Sequence, residues 1–158
     1  KNIFNNYKIP DGRGDISQIK IYKKKFYLID ESYNSNPLSL RSAINNFDSI
    51  DAKENKKYLV LGDMLELGKK SKNLHSQFSS TINFSSIDNL SIVGKYVKEI
   101  YKNIDRKKKG LVLKENSQIF SLIKNNINNN DYLMIKGSNS TELNKITNIL
   151  KKEKINAL

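Results

Sequence analysis

Two carboxylates, Asp30 and Glu31, close an apolar run and are followed by Tyr33, Asn34 and Asn36 in the stretch LIDESYNSNP. Carboxylates in that position suit ribose hydroxyls or a hydrated magnesium ion, and an aromatic beside them can stack on a base. A second polar group, Lys136, Ser138 and Asn139 in IKGSNSTEL, joins a cation and a hydroxyl to the free amides of a helix entry. That set binds a carboxylate or a phosphate. Arg13 lies between two glycines in PDGRGD, a turn sequence that leaves its side chain room to reach a phosphate.

Plainer roles compete at each place. Asn36 before Pro37 makes a good helix start, because asparagine caps and proline at the first helical position loses no hydrogen bond. Asn139 with Glu142 has the spacing of a capping box. In GDMLELG, Gly62 and Gly68 permit turns, and Asp63 and Glu66 are placed to cap the helix that follows. His75, the one histidine, reads as a packing or hydrogen-bonding residue rather than a catalyst. The Arg-Gly-Asp triplet reads as a chance match.

These groups need elements to hold them. Ile19–Tyr22 and Phe26–Asp30 read as strands around a Lys23-Lys24-Lys25 hairpin turn, and Leu40, Ala43, Ile44 and Phe47 follow with helical spacing. Apolar strands are then expected at Tyr58–Asp63, Leu90–Gly94, Leu111–Lys114 and Tyr132–Gly137. Each precedes a helical pattern, the first of them carrying Leu74, Phe78 and Ile82. Alternating strand and helix predicts an α/β fold: a three-layer Rossmann-like sandwich with a mostly parallel sheet of about six strands, one antiparallel edge strand and helices on both faces. In such sheets ligands bind at the carboxyl ends of the strands. DESYNSNP, GDMLELG and KGSNS all fall there.

The totals narrow the options. With 158 residues the chain suits one domain, and no apolar run approaches the ~20 residues that span a bilayer. The absence of cysteine rules out disulfides and thiolate metal sites. A soluble cytoplasmic protein is expected. The chain lacks an initiator methionine and opens on what reads as the tail of an earlier element, so a piece of a larger protein is expected. The net charge of +12 invites a nucleic-acid reading, yet only three of the 28 basic residues are arginine. Phosphate and base readers favour arginine for its planar fork, so the lysines are read as solvated surface. NNINNN (125–130) reads as a helix end. No GxGxxG follows a strand, and no GxxxxGK(S/T) loop is present to hold ATP phosphates.

Taken in order, GRG, IDESYNSNP, VLGDMLELG with a histidine soon after, VG and IKGSN resemble the C-terminal domain of the Mur ligases, ATP-dependent amide-forming enzymes of peptidoglycan synthesis. The likeness runs from about Gly12 to the last helix. SYNxNP with GDMLELG is similar to the member that joins D-alanyl-D-alanine to UDP-N-acetylmuramoyl-tripeptide. The resemblance implies that residues 1–12 lead in from a central ATP-binding domain and that residues 13–158 form the C-terminal domain. It implies ATP and magnesium held mainly by that central domain, which phosphorylates the terminal carboxylate so that the dipeptide amine can attack. The C-terminal domain would close over the nucleotide and position the dipeptide; alone it would be inactive.

Residue by residue, the resemblance places Arg13, Asp30, Glu31, Tyr33, Asn34 and Asn36 at ATP. Asp30 and Glu31 match a pair that is commonly Asp-Asp in the family. It places Lys136, Ser138 and Asn139 at D-alanyl-D-alanine, although Ser140 and Thr141 depart from the family pattern. No catalytic or metal residue is implied within this chain. Implied partners are the UDP-linked tripeptide, the dipeptide and the rest of the same polypeptide, in a monomeric bacterial cytoplasmic enzyme that binds neither nucleic acid nor membrane. The alternative is a stand-alone nucleotide-binding or regulatory module without ligase activity.

Overall fold

The computed structural model describes residues 12–155. The expected lead-in and the PDG part of the PDGRGD turn fall on residues 1–12, and all of these but Gly12 lie outside the described residues. Six strands form one sheet: β1 (Asp15–Ile21), β2 (Lys24–Glu31), β3 (Lys57–Gly62), β4 (Asn89–Val93), β5 (Lys109–Leu113) and β6 (Tyr132–Lys136). Their spatial order is β1-β2-β6-β3-β4-β5, with only the β1–β2 pair antiparallel. This is the α/β architecture that the alternating pattern predicts.

The strands separate two apolar layers by side-chain alternation. On one face Ile29, Leu59, Leu61, Leu90, Ile92 and Met134 pack with α1 (Pro37–Ser49), α3 (Phe78–Asn83) and α4 (Lys98–Asn103). On the other, Phe26, Leu28, Tyr58, Val60, Leu133 and Ile135 pack with α5 (Gln118–Asn126) and α6 (Leu143–Lys151). Every residue of β3 is buried, as a central strand covered on both faces must be.

Local details differ from the sequence pattern. The hairpin turn is Tyr22-Lys23, both in the left-handed region (φ 52° and 61°), because Ile21 pairs with Lys24 and leaves two residues to reverse the chain. The helical stretch around Leu74, Phe78 and Ile82 is two short helices, α2 (Ser71–Ser76) and α3, meeting at Gln77. The expected Asn139–Glu142 capping box does not form. Residues Asn139–Thr141 wind as a 3-10 turn, and Glu142 enters α6 with φ 61°, so its side chain makes no capping bond.

The lysines are less peripheral than their abundance suggests. Lys24 donates to the carbonyls of Ile123, Lys124 and Ile127 at the end of α5. Lys108, buried, donates to that of Ile82 in the last turn of α3 and to those of Ser85 and Ile87 in the loop that follows. Lys57 donates to Asp48 O at the end of α1. Lys24 and Lys57 open their strands and Lys108 directly precedes β5, where a neighbouring helix presents unpaired carbonyls and the negative end of its dipole. Lys24 and Lys108 depart from the solvated-surface reading of the basic runs, whose other members, Lys23, Lys25, Arg106, Lys107 and Lys109, are exposed as that reading expects.

Candidate functional site

The two carboxylates at the end of β2 point to opposite faces. Asp30 follows Phe26 and Leu28 to the α6 side, where it is 1% exposed. There its Oδ2 lies 2.6 Å from Lys151 Nζ and its Oδ1 accepts from the backbone and hydroxyl of Ser32. Glu31 follows Ile29 to the α1 side. Its register partner on β6 is Lys136, so a carboxylate and an ammonium meet at the carboxyl ends of two adjacent strands, 3.6 Å apart. Burial holds the Glu31 carboxyl above its ordinary pKa, with Lys136 pulling the other way. Burial likewise pushes the Lys136 ammonium down, with Glu31 opposing. The pair is a desolvated charge couple facing a cavity.

Two glycines allow a strap to cross this end. Gly12 and Gly14 have φ 75° and 93°, and a Cβ on Gly12 would stand 2.9 Å from Tyr33 N. The close approach lets Tyr33 N donate to Gly12 O at 2.9 Å and Gly14 N donate to Asp30 O at 2.7 Å. Arg13, held between them, lays its guanidinium 4.2 Å from the centroid of the Tyr33 ring. Beyond Tyr33, Asn36 caps α1 as its sequence predicts: Asn36 Oδ1 accepts from Ser39 N and Ser39 Oγ accepts from Asn36 N.

A cavity of about 440 Å³ lies between strap, strand ends and α1, lined by Arg13, Glu31, Tyr33, Asn34, Asn36 and Lys136 among others. Asp30 is turned away from it. Lys136 therefore stands with the residues expected at ATP, and its Nζ donates to Asn34 O at 2.7 Å. Ser138 is buried and occupied, its Oγ donating to Ser35 O and accepting from Leu65 N. Asn139 is exposed on the 3-10 turn. Of the three residues expected at the dipeptide, Lys136 and Ser138 thus donate to the consecutive carbonyls of Asn34 and Ser35, and Asn139 is exposed beside them.

Sequence reasoning missed the α1 wall. Leu38, Ser39, Ser42, Ala43 and Asn46 also line the cavity. The signal was available: Leu40, Ala43, Ile44 and Phe47 set the buried face of α1, which leaves 39, 42 and 46 as an adjoining polar stripe at i, i+3 and i+7.

GDMLELG turns out to be scaffold. Asp63 does not cap the next helix; its carboxylate accepts from the amides of Lys95, Tyr96 and Val97 and so fixes the turn between β4 and α4. Gly94 makes room, since a Cβ there would lie 2.7 Å from Asp63. Glu66 makes no cap either. His75 is fully buried, its Nε2 accepting from Met64 N at 3.0 Å and its Nδ1 2.6 Å from Ser71 O. Those two contacts describe a neutral ring protonated at Nδ1, a hydrogen-bonding residue as expected.

Comparison with known proteins bears on the family and the fold. The family described as "Mur ligase, glutamate ligase domain" matches residues 17–139. A Buchnera aphidicola protein (from Acyrthosiphon pisum) named UDP-N-acetylmuramoyl-tripeptide–D-alanyl-D-alanine ligase is 36% identical over 129 residues, covering 80% of this chain and 27% of that protein. The Bacillus subtilis protein of the same name is 30% identical over 122 residues, covering 75% and 26%. The chain thus spans less than a third of these relatives. The crystal structure of MurF ligase from Thermotoga maritima in complex with ADP superposes with a TM-score of 0.75 at 21% identity, over 94% of this chain and 32% of that one. Sequence and fold agree: the chain belongs to the Mur ligase family, as its C-terminal, glutamate ligase domain.

Proposed function

We propose that residues 13–158 are the lid of a ligase that joins D-alanyl-D-alanine to UDP-N-acetylmuramoyl-tripeptide in the bacterial cytoplasm, and that the cavity beside α1 receives the nucleoside end of ATP. In this reading residues 1–12 lead in from a central domain that grips the phosphates, and the lid closes on that domain. The observation that carries it is the gathering of Arg13, Glu31, Tyr33, Asn34, Asn36 and Lys136 around one cavity at the carboxyl ends of β2 and β6.

The residues fit a nucleotide. Glu31 offers a carboxylate to ribose hydroxyls, Tyr33 a half-exposed ring for stacking, and Arg13 a guanidinium toward phosphate. They do not fit a resident magnesium ion: among the described residues no three His, Cys, Asp or Glu side chains gather to hold a metal, and Glu31 is paired with Lys136. What this chain contributes is positioning and exclusion of water as the lid closes. The dipeptide side is supported less directly, by Asn139 and the exposed turn around it.

The test uses the full reading frame that contains this chain. Tyr33→Ala and Arg13→Ala should each raise the KM for ATP about ten-fold while leaving that for the UDP-linked tripeptide nearly unchanged. An unaltered KM for ATP in both variants would sink the proposal. The 158-residue chain alone, given all three substrates, should release no ADP.

A further inference from the structure

The cavity is chemically divided along its length. Its charged groups, Arg13, Glu31 and Lys136, stand at the strand-end side. The other wall is the face of α1, which contributes no charge to the cavity. From Asn36 to Asn46 that helix runs roughly 15 Å, long enough for a nucleoside laid against it. A ligand fitting this division has a charged end and an uncharged, hydrogen-bonding end.

The neutral polar side chains along the cavity differ in what they already do. Asn36 and Ser39 bond each other across the helix start, and Asn34 Oδ1 accepts from Ser35 N. Ser42 and Asn46 make no side-chain hydrogen bond within the described residues, so both face the cavity with their capacity unengaged. Apolar atoms flank them: Ala43 lies between them on the wall, and Leu38, 78% exposed, stands at the rim.

We infer that Asn46, with Ser42 beside it, reads the base of the nucleotide and selects adenine. The inference rests on the nucleotide reading above. A carboxamide holds an acceptor and a donor side by side, matching the 6-amino group and N7 of adenine. A 6-oxo purine presents acceptors at both O6 and N7, so either orientation of the amide sets Asn46 Oδ1 against an acceptor. Ser42 can donate to or accept from the neighbouring ring position, and Ala43 and Leu38 contact the ring itself.

ATP and ITP share N7 and differ at the 6-substituent and the N1 proton, and they are the probes. The full-length protein should bind ATP about ten-fold more tightly than ITP, the discrimination of a single bidentate pair. Asn46→Ala should bring that ratio to about two by weakening ATP while leaving ITP nearly unchanged. Asn46→Asp, equal in shape but without the amide donor, should lose the preference too. Alanine favours helix on an exposed face, so both variants should keep the wild-type circular dichroism. A wild-type preference that survives both substitutions overturns the inference and leaves the nucleotide reading intact. Failure of the wild type to bind either nucleotide removes both.

Discussion

The two ends of the sheet carry similar polar residue types and use them in opposite ways. At the amino ends of the strands, Lys24, Lys57 and Lys108 are bound to helix-terminal carbonyls, and their donors are occupied by the fold itself. At the carboxyl ends, Arg13 rests on an aromatic face beside a cavity that continues along α1, where Ser42 and Asn46 make no side-chain bond among the described residues. Helices in this architecture end at the first edge and begin at the second, so lysine satisfies the first and an exposed polar rim remains at the second. Side-chain type alone does not mark a site; what distinguishes the rim is polar capacity that folding has not consumed.

The contrast can be broken at its strongest point. Lys108→Met leaves the carbonyls of Ile82, Ser85 and Ile87 without their donor and should cost about 3 kcal/mol in urea unfolding. A cost under about 0.5 kcal/mol would mean that the lysine is a surface residue after all. On the site side, His75→Leu removes the acceptor of Met64 N and should cost about 2 kcal/mol, with the KM for ATP little changed because His75 does not line the cavity.

Replacing Tyr22-Lys23 by Asn-Gly should stabilise the protein by about 1 kcal/mol, since a two-residue turn with both φ positive suits that pair. A thermal shift downward would contradict the turn geometry. The smallest effect is a pH slope. Burial keeps the Glu31 carboxyl protonated to higher pH than its ordinary value of 4.5, against the pull of Lys136. Its contribution to stability is therefore complete below pH 4.5 and lost as pH rises through the higher folded value. Glu31→Gln should flatten the fall in urea midpoint between pH 4.5 and neutrality; an unchanged slope would place its origin elsewhere.

Much of this was legible in the chain. Alternating apolar runs and helical spacings gave the parallel sheet, Asn36-Pro37 gave the start of α1, and the polar stretches fell at the strand ends where the cavity lies. Other features depend on distant contacts. Asp63 reads as a cap for the helix after it, yet it holds a turn 32 residues on because β3 and β4 are neighbours in the sheet. Asn139 and Glu142 have capping-box spacing, but the backbone passes through φ 61° at Glu142 and takes the side chain out of reach.

The sequence by itself determined that Asp30 and Glu31 face opposite ways, since neighbouring side chains on a strand alternate. It also determined that Gly12 and Gly14 are free to take the left-handed conformation beside Arg13. Only the tertiary structure decided which carboxylate meets the cavity: α1 packs on the Ile29 face and α6 on the Leu28 face, so Glu31 lines the pocket while Asp30 is buried against Lys151. The physical reason is that alternation is a property of the backbone, whereas the identity of each face is set by the helices that cover it.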